Sequence, residues 1–333
     1  MRHTTWKICE RNSALHAPSK QSGFTLIEII IALFILAMIT AMLTTYFEPW
    51  AEYKARIDTQ NKLAILQEAL TDAYRDNAYA IENNPGQVIT LPNGNITPTN
   101  VATNTTFAGL MNYASASPAT MARDGYGKAL TVFVSDMLSK NIGGTTLDYH
   151  VIAIVSSGEE SGPVKSTFNA STGALTLAPA ETAVLINGYD IQYGLYKTTL
   201  DRLDNLSQLY QTYFLSRYMN DPGRSYGVDY FACGDVGGGC GTQAQWDSTG
   251  SIQNSQGQPA TAAQVNLQST LGLSNDDVTD AWGNPIYVDN DSSATRNPYN
   301  ANTSMTTPPF TASIYANLPG GQKLSVTAQG TYQ

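Results

Sequence analysis

From Phe24 to Phe47 the chain keeps an apolar pattern without a break, FTLIEIIIALFILAMITAMLTTYF, and contains neither Pro nor Gly. As a helix at about 1.5 Å per residue this run spans roughly 36 Å, enough to cross a bilayer. Its hydroxyls, at Thr25, Thr40, Thr44 and Thr45, can bond back to the helix's own carbonyls, so helix is expected from about residue 25. From Trp50 to about Ala80 the pattern changes: Ile57, Leu63, Leu66, Leu70, Ala73 and Tyr74 recur largely at helical intervals among polar residues. One long helix is predicted, apolar all round in its first half and amphipathic in its second, where a single stripe can pack on a sheet.

Pro85 and Gly86 end that pattern, and short strands are expected around turns such as Asn93-Gly94. Alternating or continuous apolar runs in MARDGYGKALTVFVSDML, LDYHVIAIVSSGEESG and STGALTLAP read as strands separated by glycine-rich turns. A second helix is predicted from about Thr198 to Met219, with Leu203, Leu206, Tyr210, Tyr213 and Phe214 on its apolar side. The final FTASIYANLPGGQKLSVTAQ reads as a hairpin. The order therefore predicts an α+β fold, a long amino-terminal helix packed on antiparallel sheet.

The pattern also repeats in outline. TDAWGNPIYVDN at 279–290 echoes RDGYGKALTVFV at 123–134, each after a helix and each before strands. Two related head units, 48–195 and 196–333, are one reading; a less specific pair of α+β domains or one merged domain is the other.

Charge narrows the function. The chain carries a formal charge of -9, which argues against nucleic-acid binding and against attraction of the head to anionic lipid. Of its three histidines, His3 and His16 precede the apolar run, and His150 reads as a strand residue. No nucleophile with a base, metal motif, phosphate loop or carboxylate cluster is evident, so catalysis is not expected. Beyond the apolar run, about 285 residues rich in Gly, Asn, Thr, Ser and Tyr suit an exported, contact-making surface.

Within that part only Cys233 and Cys240 remain, in YFACGDVGGGCG. Their spacing is compatible with a short disulfide loop in an oxidising compartment, and two free thiols are the alternative. Tyr226 and Tyr230 lie nearby as candidate contact residues.

One residue resists the plain membrane-anchor reading. Glu28 is the only charged group of the apolar run, and a carboxylate in hydrocarbon is costly unless it has a partner or a function. The run is too long for a cleavable secretory signal, while the basic flank of Arg2, Lys7, Arg11 and Lys20 against Glu10 favours a cytoplasmic start.

The stretch Gly23, Phe24, Thr25, Leu26, Ile27, Glu28, followed by an apolar helix, resembles the prepilin signature of type IV pilins and type II secretion pseudopilins. The resemblance implies that 1–23 is a leader. It also implies that prepilin peptidase cuts between Gly23 and Phe24 and that Phe24 becomes the methylated amino terminus. Glu28 is then the fifth-position acid, implied to register assembly against the amine of a neighbouring subunit. Residues 24–47 would serve first as membrane span and then as filament core. Many family members have a kinking proline at the position of Thr45; here the nearest is Pro49.

DAWGNP at 280–285 resembles the segment before the terminal strands of major pseudopilins, with Trp282 burying its indole, Gly283 turning and Pro285 directing the exit. Some pseudopilins bind calcium just beyond, where Asp289 and Asp291 offer oxygen ligands; a solvated loop is the alternative. The resemblance implies other pilin or pseudopilin subunits and an inner-membrane assembly platform as partners. It implies residence in the inner membrane with a periplasmic head before passage to a surface pilus or periplasmic pseudopilus. The large head favours a minor or initiating subunit, with a pilus-tip adhesin or a secretion pseudopilin as alternatives.

Overall fold

A computed structural model describes residues 25–83, 89–91, 94–96, 99–100, 113, 117–160, 162–224, 231, 271–289 and 310–332. The chain divides into two compact units, Met1–Tyr53 and Lys54–Gln333. Helix α1 (Leu26–Asp76), with Pro49 inside it, contributes its first half to the former and its second half to the latter. It is continuous past Pro49.

In the first unit, the described side chains of α1 are all exposed, and the helix is long and apolar enough to cross a membrane. Thr40 Oγ1 donates to the Leu36 carbonyl at 2.7 Å and Thr44 Oγ1 to that of Ala41 at 2.9 Å. These bonds hide the hydroxyls among apolar neighbours.

In the second unit the remaining stretch of α1 becomes a core helix, because its apolar residues fall on one stripe. Leu63, Leu66, Leu70, Ala73 and Tyr74 are buried against Leu130, Val132, Val134, Ile152, Ile154 and Ile186. A turn at Asn77 leads into α2 (Ala78–Glu82). The short strands β1 (Ile89–Leu91) and β2 (Gly94–Ile96) pair antiparallel, and β3 (Thr99–Asn100) follows; Asn93 of the expected turn lies outside the described residues.

After a single-turn helix α3 (Pro118–Met121), the strands β4 (Thr131–Val134), β7 (Val151–Ser156) and β10 (Thr182–Asn187) make an antiparallel sheet in the order β10-β7-β4-β3. Two hairpins branch from it, β5 (Leu138–Ile142) with β6 (Thr145–Tyr149) and β8 (Thr167–Asn169) with β9 (Ala174–Thr176). The second hairpin stacks Phe168 on Phe133 with ring centroids 5.6 Å apart. All six residues of the central strand β7 are buried.

Helix α4 (Gly188–Asn220) starts ten residues before the stretch that helical periodicity marks out. Its opening GYDIQYGLYK is rich in Gly and Tyr, which have modest helix propensity. Tertiary burial overrides that weakness, since Ile191 and Leu195 of this stretch pack on the first core. Further along, Leu203, Leu206, Tyr210 and Phe214 pack on a second sheet of β11 (Tyr287–Asp289), β12 (Thr311–Asn317) and β13 (Lys323–Gln329). The closing hairpin is β12-β13.

The two cores share one plan in detail. Thr59 on α1 accepts from Gly125 N at 2.9 Å, and Thr199 on α4 accepts from Ala281 N at 3.0 Å. Three residues on, Lys62 Nζ donates to the Asp124 carbonyl at 3.5 Å and Arg202 to that of Asp280 at 3.1 Å. Leu63 and Leu66 correspond in the same register to Leu203 and Leu206, all buried.

The turns match too. Asp124 Oδ1 accepts from the N–H groups of Tyr126 and Lys128 at 3.0 and 2.8 Å, and Asp280 Oδ1 from those of Trp282 and Asn284 at 2.9 and 2.8 Å. Gly127 and Gly283 both adopt positive φ, 77° and 86°. Each turn feeds a three-strand antiparallel meander whose middle strand is central. The outline repeat of the sequence is thus a repeat of bonding: helix, aspartate-centred turn and meander occur twice.

Candidate functional site

The carboxylate of Glu28 lies in the first turn of α1, where the helix has unpaired N–H groups. Thr25 precedes the helix as its cap. Glu28 Oε2 accepts from Thr25 N at 2.8 Å and from Thr25 Oγ1 at 3.0 Å, while Glu28 N faces Thr25 Oγ1 at 3.4 Å. This reciprocal arrangement is a capping box, and it satisfies Glu28 within its own helix. The sequence signal for it is Thr25 three residues before Glu28 at the head of an apolar run. Gly23 and Phe24 lie outside the described residues.

Residues 18–44 match the family described as Prokaryotic N-terminal methylation motif. The amino-terminal region is prepilin-type. It is consistent with a type IV pilin or pseudopilin, and the long helix packed against small antiparallel sheets matches the general pilin α+β architecture. No curated protein and no solved structure gives a significant match.

In this prepilin-like chain the DAWGNP turn is built around Asp280, which is 2 % exposed. Burial pushes its carboxyl up from the ordinary value, against the pull of bonds from Asn284 and Trp282 and of the Arg202 charge. Trp282 is half-buried and packs against both cores, with its Nε1 donating to Gln192 Oε1 at 2.8 Å. Gly283 N closes the turn onto the Asp280 carbonyl at 3.1 Å, and Pro285 bridges to Thr279 at the exit.

Of the candidate calcium ligands, Asp289 ends β11 and Asp291 lies outside the described residues. Among the described residues no group of three His, Cys, Asp or Glu gathers as a metal cluster. Cys233 and Cys240, with Tyr226 and Tyr230, also lie outside the described residues.

His150 sits between β6 and β7 rather than within a strand, fully buried. Its Nδ1 is 2.8 Å from Glu82 Oε2, its backbone N–H donates to Tyr74 Oη at 3.1 Å, and Tyr74 Oη in turn donates to Glu82 Oε1. Burial and the Glu82 carboxylate hold the Tyr74 hydroxyl well above its ordinary range, so it remains a donor. This knot ties the end of the stem helix to the central strand. Linear periodicity offers no sign of it, because its three members are separated by 8 and 68 positions.

Proposed function

We propose that the chain is a structural subunit of a type IV pilus or related filament, acting in a minor or initiating position rather than as a catalyst. Prepilin peptidase removes residues 1–23, and Phe24 becomes the methylated amino terminus. Support comes chiefly from one observation: the first stretch of α1, up to Phe47, is apolar, exposed at its described residues, begins within a prepilin-type methylation motif and carries one acid, Glu28. Before assembly the helix is held in the inner membrane with the head in the periplasm. Afterwards it exchanges lipid for the helices of neighbouring subunits.

Glu28 passes from its own capping box to the amine of an adjacent subunit. That amine is positive only once the leader is removed, which couples processing to assembly. The test is deletion of the gene, scored together for surface filaments, secreted proteins and DNA uptake, with sequencing of the mature amino terminus. Loss of surface fibres is expected, with a product starting at Phe24. Loss of protein export alone reassigns the chain to a secretion pseudopilus. A mature product still starting at Met1 in cells that possess the peptidase overturns the reading.

A further inference from the structure

Where the apolar run of α1 ends, the helix acquires two unlike sides. Phe47, Trp50 and Tyr53 follow one another at intervals of three, so each is turned by about 60° from the last and the three share an arc of about 120°. Glu48 and Glu52, one turn apart, fall on the opposite side by the same geometry. Phe47 and Trp50 are each 59 % exposed and Tyr53 is 66 % exposed, and both acids are exposed as well. All five belong to the first compact unit, which closes at Tyr53.

Neither hydrocarbon nor water alone suits this arrangement. Acyl chains on every side would surround two carboxylates at high cost. Water on every side would wet three large rings directly beside the apolar run. The boundary layer of a bilayer satisfies both sides: indole and phenol rings lie against the upper acyl chains while their N–H and O–H groups reach the headgroups. Glu48 and Glu52 then face water and the ammonium groups of zwitterionic lipid. Anionic lipid is the poorer match for these acids and for a chain of formal charge -9.

Length gives an independent measure. From Glu28 to Trp50 the helix takes 22 steps, about 33 Å at about 1.5 Å each, against about 30 Å of hydrocarbon. With Trp50 in one headgroup layer, Glu28 reaches the other.

We propose that the face of Phe47, Trp50 and Tyr53 is a lipid-binding surface that lodges among zwitterionic phospholipid headgroups on the periplasmic side. It sets the depth of α1 before assembly, so that Glu28 lies in the cytoplasmic headgroup layer. This inference rests on the membrane-held filament subunit described above. At that depth the Glu28 carboxylate, with its Thr25 cap, meets water and lipid ammonium groups instead of acyl chains. Holding the acid in the membrane thus costs little until the amine of a neighbouring subunit takes over.

The experiment reconstitutes the full-length chain in vesicles of phosphatidylcholine and phosphatidylethanolamine whose acyl chains carry bromine either near the headgroup or near the chain ends. The Trp50 signal is the fluorescence difference between the parent and Trp50→Phe. Its quenching is expected to be about twofold or more stronger with bromine near the headgroup. Ile39, exposed and midway between Glu28 and Trp50, supplies the second probe: Ile39→Trp in the Trp50→Phe background should show the reverse preference. If Ile39→Trp is quenched near the chain ends but Trp50 answers only to iodide in the water, the lipid face is overturned and the subunit reading stands. Shielding of Trp50 from both bromine and iodide would give the face to a second copy of the chain and overturns the proposal equally. Quenching of Ile39→Trp chiefly near the headgroup overturns the assigned depth. If no bromolipid quenches Ile39→Trp, the helix does not span the bilayer, and the membrane-held reading falls and takes this inference with it.

Discussion

Glu28 and Thr25 act as a pair because the acid alone would be an unshielded charge among apolar side chains. Glu28→Gln keeps an acceptor for the cap but removes the charge, whereas Glu28→Ala removes both. The helix is expected to persist in both variants, with capping worth only about 1 kcal/mol. Incorporation into fibres is expected to fall strongly in both, measured by immunoblot of sheared filaments; normal incorporation of Glu28→Gln would sink the register role.

Close packing sets a second residue-scale contrast. A Cβ on Gly125 would stand 2.0 Å from the Ala55 carbonyl oxygen, while the equivalent position in the second core is occupied by Ala281 without difficulty. Gly125→Ala should cost about 2–3 kcal/mol through overpacking, and Ala281→Gly about 1 kcal/mol or less. Urea midpoints of the detergent-solubilised chain would check the asymmetry.

Glu181 supplies the pH dependence. Burial raises its carboxyl, but bonds from Lys165 N, Ser166 N and Ser166 Oγ outweigh that and hold it below the ordinary glutamate value. Its folded value is depressed, so the stabilisation is present above the unfolded value and is lost as pH falls through the folded one. Glu181→Gln should therefore be less stable than the parent near neutrality, with the gap closing in acid. Denaturant midpoints at about pH 7 and about pH 3 would reveal a gap that fails to close.

At the scale of elements, the stem helix has two halves with different solvents. Its first stretch is exposed on every side because no polar face interrupts the apolar residues, and its second is amphipathic because polar residues occupy all but one stripe. In each core the middle strand bears the most protection. The whole of β7 is buried, and in β12 the residues Ala312, Ile314 and Ala316 are fully buried between two hydrogen-bonded neighbours. Amide exchange should be slowest in these two strands and fastest in the β5-β6 hairpin, whose Ser139, Lys140 and Asn141 are exposed. Mass spectrometry of exchanged peptides would contradict this account if β5-β6 were as protected as β7.

Across the head as a whole, the two cores are chemically joined by Trp282, which belongs to the turn of one and packs on both. The Thr146 N–H also reaches across to Gln322 Oε1 at 3.0 Å. Cores tied in this way should unfold together. Calorimetry of the full chain in detergent is expected to give one transition, and Trp282→Ala, which removes the side chain packed on both cores, should separate it into two. Two transitions in the parent chain would show that the cores are energetically independent.

Much of this was legible in the residues themselves. The membrane-length run, the amphipathic continuation, the closing hairpin and the motif around Glu28 follow from local periodicity and short spacing, which depend on neighbours a few positions apart. The DAWGNP echo of RDGYGK also showed, as an outline only, because the two segments share an aspartate, an aromatic and a glycine instead of a long identity. Tertiary structure alone decided that Thr59 and Thr199 clamp the two turns, and that α4 begins at Gly188. It alone also brought Tyr74, Glu82 and His150 into one buried knot. Those outcomes depend on burial between segments dozens of positions apart. There the cost of leaving a polar group unpaired, and the gain from filling a core, outweigh what any short stretch prefers.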